Sequence, residues 1–257
     1  MNRRVELISF LLIAFLLPSI SMVAQAMISN DFICFILYGI QAAAPTISAI
    51  VVLSSSIKGK KFLVQMFRKE HLKIAVILPV IVACVTMFLA KLIFCAVSGV
   101  DFALVGIPAV QFIIILWALF AEEIGWRGYL EPLLRTYGIN RWMVSGIVGM
   151  IWCLWHYHYF LQNGIEVPIP LFFISCVIES YIYSFFMSVT GDNVVSAMTY
   201  HFAWNLLIHV AAINPADNNG SIIPYITLVV LEALVLFVFW SVRILLCKAG
   251  RIGKRKL

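Results

Sequence analysis

Glu122, Glu123 and Arg127 fall in AEEIGWRGYL, residues 121–130, at the end of the apolar run VGIPAVQFIIILWALF. Ionisable side chains at hydrocarbon depth are costly, and they mark either function or an ion pair satisfied inside the protein. On a helix advancing about 100° per residue, Arg127 lies about 40° around the axis from Glu123, a spacing that favours an ion pair. Glu122 lies about 140° from Arg127 and points to another surface. One carboxylate is then neutralised by its own helix, and the other is left for a different task. The plainer alternative is a charged helix end at the membrane interface, with Arg127 reaching toward the headgroups.

Two further stretches carry polar groups into apolar helices. In WCLWHYHYF, His156 and His158 stand about 200° apart on a helix, so they cannot serve one site together. His156 shares a face with Trp152, whereas His158 is expected to be a packed, hydrogen-bonded residue. In TYHFAWNLLIH, His201 and Asn205 are one turn apart on one face. They can bond a neighbouring helix, or supply two donors to a developing oxyanion. His209, a further turn on, drifts about 80° away toward the outer interface.

Glu122, His156, His201 and Asn205 thus come from three helices. A carboxylate and two imidazoles can hold a water for attack directly, or as a zinc-ligand set of Glu122, His156 and His201. The chain has no His-Glu-x-x-His, no Walker-type loop and no Gly-x-Ser-x-Gly elbow, so a serine or cysteine nucleophile is unsupported. Glu179 in VIESYIY and Glu232 are additional carboxylates in apolar segments. Glu179 reads either as a structural hydrogen bond to a neighbouring helix or as a second carboxylate near the site, binding a polar end of the substrate.

The elements that must position these groups follow from composition. Of 257 residues, 63% are hydrophobic and 12% charged, against about 25% charged in ordinary globular domains. The mean hydropathy is +1.02. Apolar windows at 5–27, 31–55, 73–99, 106–126, 142–162, 168–189, 193–211 and 222–247 each approach the ~20 residues of a spanning helix. The expected fold is all-α: one membrane domain over 1–257, a polytopic bundle of about eight transmembrane helices.

The net charge of +6 is topological, not a sign of nucleic-acid binding. With alternating helices, Arg3, Arg4, Lys58, Lys60, Lys61, Arg68, Lys69, Lys73, Arg135, Arg141 and the terminal KAGRIGKRKL all fall on one side. By the positive-inside rule that side is the cytoplasm, which places both termini there. The opposite loops SND, QNGIEVPIP and NPADNNGS carry no Lys or Arg. The segment FLVQMFRKEHL within 56–72 suits a short helix on the cytoplasmic surface. Ala24-Gln25-Ala26 resembles a signal-peptidase site, but the preceding apolar stretch is long for a cleaved signal, so a retained first helix is expected. The cysteines at 34, 84, 95, 153, 176 and 247 show no CxxC spacing and read as small buried hydrophobes.

EEIGWRGYLEPLL, IVGMIWCLWHYHYF and VTGDNVVSAMTYHFAWNLL together resemble the CAAX protease and bacteriocin-processing family of intramembrane proteases, also called the Abi family. Its motifs are Glu-Glu-x-x-x-Arg, Phe-x-x-x-His and His-x-x-x-Asn or Asp. Here they fall at Glu122, Glu123 and Arg127; at His156, with Trp152 in the Phe position; and at His201 and Asn205. The resemblance covers about 105–210, the expected catalytic core. It implies peptide-bond hydrolysis close to the membrane, at a site inside the bundle reached from the cytoplasmic side. Glu122 would be the general base, assisted by His156; His201 and Asn205 would hold the oxyanion; Glu123 and Arg127 would hold the helix end. The same Glu and two His would serve a zinc enzyme or a metal-free one. A membrane-anchored peptide or protein in a bacterial inner membrane is the expected substrate. A proton-coupled transporter and a non-catalytic immunity or binding protein are the competing classes.

Overall fold

The computed structural model describes residues 2–54, 59, 62, 65–67 and 69–248. Most of these residues are helical, with no strand among them. In chain order the helices are α1 (Arg3–Met27), α2 (Asp31–Ala42), α3 (Ala44–Ser54), α4 (Leu72–Ser98) and α5 (Ala109–Ala121). A π-helical turn, Ile124–Leu130, leads into α6 (Glu131–Arg135). Then follow α7 (Arg141–Trp155), α8 (Tyr157–Leu161), α9 (Ile169–Val189), α10 (Val195–Val210), a 3-10 turn at Pro215–Asn218 and α11 (Ile223–Lys248). Asn2, Asn30 and Asn140 cap α1, α2 and α7 by accepting from Arg4 N, Ile33 N and Met143 N, satisfying amides that no helical carbonyl reaches.

Each expected apolar window is helical, but the count of eight spans is not reproduced. Among the described residues five helices are long and apolar enough to cross a membrane, with α5 through α6 counted as one. A sixth is added if α2 and α3, bent by 63° where they meet, form one span. The bend falls at AAAPT, where Pro45 lacks the amide hydrogen that would continue the ladder. α7 and α10, with 15 and 16 residues, rise only about 23 Å, short of the ~30 Å hydrocarbon core. The integral membrane protein is therefore built from fewer full spans, with shorter helices inside.

The N-terminal helix belongs to the core. Phe10 on α1 packs against the rings of Trp126 and Tyr129, at 5.7 and 5.1 Å between centroids. Trp155 Nε1 donates to the carbonyl of Ala14 at 2.9 Å, and the Tyr157 hydroxyl to that of Phe15 at 2.8 Å. Removing α1 would strip this packing from the core. Small residues let α7 and α9 approach: a Cβ on Gly149 would sit 2.9 Å from Ser180 Cβ, and Ser180 Oγ donates to the Ser145 carbonyl at 2.8 Å. Gly125 meets α3 still more closely, since a Cβ there would lie 2.4 Å from the carbonyl carbon and oxygen of Pro45.

The two ends of the bundle differ in charge. At one, Arg3 Nη1 donates to the Thr136 carbonyl at 3.0 Å, and Arg135 and Arg141 both pair with Asp192 in the α9–α10 loop. Burial pushes the Asp192 carboxyl up, but the two guanidiniums outweigh it and hold the group below its ordinary value. At the other end Val105 N donates to the Val210 carbonyl at 2.8 Å, and Gln111 meets His209 at 3.1 Å. Lys58, Lys60, Lys61, Arg68 and residues 249–257 lie outside the described residues, as does part of the expected surface helix at 62–72. The cysteines at 34, 84, 95, 153 and 176 are free, those at 95, 153 and 176 being buried.

Candidate active site

The site begins where α5 stops being an α-helix. After Ala121 the backbone widens into the π-helical turn, a local insertion common at functional sites. Despite the altered winding, Arg127 Nη1 donates to Glu123 Oε1 at 3.0 Å, and both side chains are wholly buried. The guanidinium carbon of Arg127 also lies 4.6 Å from the Trp152 ring and 4.1 Å from the Tyr183 ring. Aromatic faces on both neighbours supplement the carboxylate in stabilising this buried cation. The interface alternative for Arg127 is thereby excluded.

Glu123 does more than the ion pair. Its Oε1 also lies 2.8 Å from His201 Nδ1 on α10. The carboxylate accepts the Nδ1 proton, which fixes the ring and leaves Nε2 for the site. His156 is held comparably at the end of α7, with its Nδ1 2.7 Å from the Trp152 carbonyl. A carbonyl only accepts, so Nδ1 carries the proton and Nε2 keeps its lone pair. Glu122 accepts a 2.8 Å hydrogen bond from Trp152 Nε1 at Oε2. The Trp152 ring lies 5.3 Å from that of His156 and 5.8 Å from that of His201. Trp152 therefore touches four of the six motif side chains. It stands four residues before His156, in the Phe position of the motif, and its indole adds an N–H donor that Phe lacks.

Glu122, His156, His201 and Asn205 line one cavity of about 490 Å³. Its outer wall is formed by Glu166, Asn214 and Asp217, in the two loops that lack Lys and Arg. The mouth thus lies at the end of the bundle opposite Arg3, Arg135 and Arg141. The expected approach from the basic side followed from resemblance, whereas these lining loops lie at the other end. His209 lines the same cavity, beside Asn214 of the outer loop.

The remaining candidates separate cleanly. His158 is fully buried off the cavity, its Nδ1 2.6 Å from Gln41 Nε2, and acts as a packed core residue. Glu179 lines the cavity and accepts from Ser175 Oγ at 2.8 Å. Glu232 is buried behind the wall, where Trp204 Nε1 donates to it at 2.6 Å. Glu131, four residues beyond Arg127, is also buried and accepts from Ser184 Oγ at 3.2 Å. Among the described residues no three His, Cys, Asp or Glu side chains are grouped so as to hold a metal ion. Glu122, His156 and His201 as arranged do not fit a shared zinc.

Residues 104–207 match the family model described as type II CAAX prenyl endopeptidase Rce1-like. The chain is 27% identical over 173 residues to lysostaphin resistance protein A of Staphylococcus haemolyticus, covering 64% of this chain and 46% of that protein. It is 29% identical over 126 residues to CAAX prenyl protease 2 of Methanococcus maripaludis, covering 45% of each. The matched stretches thus span a little under half of each relative.

Proposed function

We propose that this chain is an intramembrane endopeptidase of the CAAX protease and bacteriocin-processing family, acting on a membrane-anchored peptide or protein. The observation that carries the reading is the shared cavity: Glu122, His156, His201 and Asn205 line it together, and both imidazoles have Nδ1 occupied. A water between Glu122 and His156 Nε2 would lose a proton to Glu122 as its oxygen bonds to the scissile carbonyl carbon. The oxyanion would be met by the Asn205 amide and by His201 Nε2. To donate there, His201 must carry a second proton, and Glu123 supplies the counter-charge through Nδ1. Glu122 would then return its proton to the departing amide nitrogen as the C–N bond breaks.

The basic end, with Arg3, Arg4, Arg135 and Arg141, would face the cytoplasm of a bacterial inner membrane and carry both termini. The cavity mouth would then open away from the cytoplasm. Incubating the purified full-length protein with a library of lipid-anchored peptides, and reading products by mass spectrometry, tests the activity. Products with wild type and none with Glu122→Gln support it; no product with wild type sinks it. The likeness to a resistance protein favours a second reading, peptide binding without cleavage. Peptide retained intact by wild type would select that one.

A further inference from the structure

We propose that Glu179 is the specificity-determining carboxylate of this cavity and selects a peptide with a lysine or arginine side chain beside the scissile bond. The inference rests on the cavity being the substrate site. Glu179 is only 4% exposed, yet it shares the cavity wall with Glu122 and His201. It is held from behind: the Tyr225 hydroxyl donates to Ser175 Oγ at 3.1 Å, and Ser175 Oγ donates to Glu179 Oε1 at 2.8 Å. Oε2 receives no hydrogen bond from a described residue. One oxygen is thus fixed by two helices while the other remains for a ligand.

Among the described residues no lysine or arginine hydrogen-bonds this carboxylate, and Arg127 acts on it only from a distance. None lines the cavity among the described residues, and Arg127 is engaged by Glu123 and sealed by Trp152 and Tyr183. An ionised carboxylate in so buried a place is costly until a cation meets it, and a substrate ammonium or guanidinium offsets that cost. Glu166 and Asp217 at the mouth carry the same sign and favour entry of a cation. A peptide presenting its own terminal carboxylate would instead face carboxylates along the whole path. Glu232 shows the structural alternative: it is off the cavity, with both Trp204 and Tyr200 donating to it.

The test compares matched lipid-anchored fluorogenic peptides that carry Lys, Gln or Glu at one position beside the cleavage site. Wild type is expected to favour the Lys peptide over the Gln peptide by at least about tenfold in kcat/KM, the worth of one charged hydrogen bond. Glu179→Gln should bring the two within about twofold, and Glu179→Asp should keep part of the preference. Equal cleavage by wild type, or an undiminished preference in a folded Glu179→Gln protein, overturns the proposal. Binding of the same peptides to Glu122→Gln, read by fluorescence anisotropy, separates this inference from the protease reading. If nothing is cut but Lys-peptide binding depends on Glu179, the protease reading fails and the recognition site stands. If peptides are cut without charge preference, the recognition site fails and the protease stands. Neither cleavage nor charge-selective binding overturns both.

Discussion

The indole N–H of Trp152 donates to Glu122 Oε2 at 2.8 Å while Arg127 lies over the same ring. A single side chain thus orients the proposed base and covers the buried cation beside it. Trp152→Phe keeps an aromatic ring for Arg127 but loses the donor to Glu122. Activity is expected to fall about 10- to 100-fold, mostly in kcat, with thermal stability little changed, for the loss of one hydrogen bond to a charged group. A kcat equal to wild type would remove Trp152 from positioning the base.

The paired carboxylates should respond differently. Glu122→Gln is expected to abolish hydrolysis while expression and melting stay near wild type. Glu123→Gln withdraws the charge shared by Arg127 and His201, both buried. Breaking a buried pair costs about 3–5 kcal/mol, so this variant should lose stability and activity together. Melting curves in detergent beside cleavage rates distinguish the two, and a fully stable Glu123→Gln would contradict the double role.

His156→Ala should be inactive, and His158→Ala should cut peptides. His158 lies off the cavity against Gln41, so its loss should appear in thermal stability, at about 1–3 kcal/mol for the one buried Gln41 N–H left without an acceptor. An inactive, well-folded His158→Ala would place that residue in the mechanism instead.

The Asp192 carboxyl is depressed in the folded protein by Arg141 and Arg135, which overcome the effect of burial. A depressed carboxyl contributes stability above its unfolded value, about pH 3.9, and loses it as pH falls through the folded one. Asp192→Asn should therefore melt lower than wild type at neutral pH, with the gap closing under strong acid. A gap independent of pH would mean the pairs contribute no charge-dependent stability.

Glu122, His156 and His201 are not gathered around one point, so hydrolysis is expected to survive exhaustive chelation. Loss of activity with recovery on added zinc, checked by metal analysis of the same sample, would bring the three into one coordination sphere.

Much of the helical layout is legible in the sequence because hydrocarbon demands long apolar runs, and those runs stand out residue by residue. The Glu123–Arg127 pair is legible for a related reason: its spacing brings the two side chains together even through a π-helical turn. Contacts between helices are another matter. The Trp152–Glu122 and His201–Glu123 hydrogen bonds depend on the rotation of whole helices about one another, which no local spacing encodes. Pro45 is a local signal for the break between α2 and α3, and the run of alanines before it conceals the break from a hydropathy window. The direction of the cavity mouth depends on which loops fold back beside it, so it appears only in three dimensions.

The approach of Gly125 to Pro45 has a consequence for how this molecule can change over generations. Any side chain at 125 would stand 2.4 Å from the Pro45 carbonyl, where real Cβ atoms essentially never come within 3.0 Å. An alanine there requires α3 to retreat, and α3 can retreat only if the bend before Pro45 moves with it. The two positions, far apart in the chain, are therefore bound to one lineage of compatible pairs. A variant that abandons the glycine must rebuild the bend as well, because the turn that follows Glu122 and Glu123 rests directly on it.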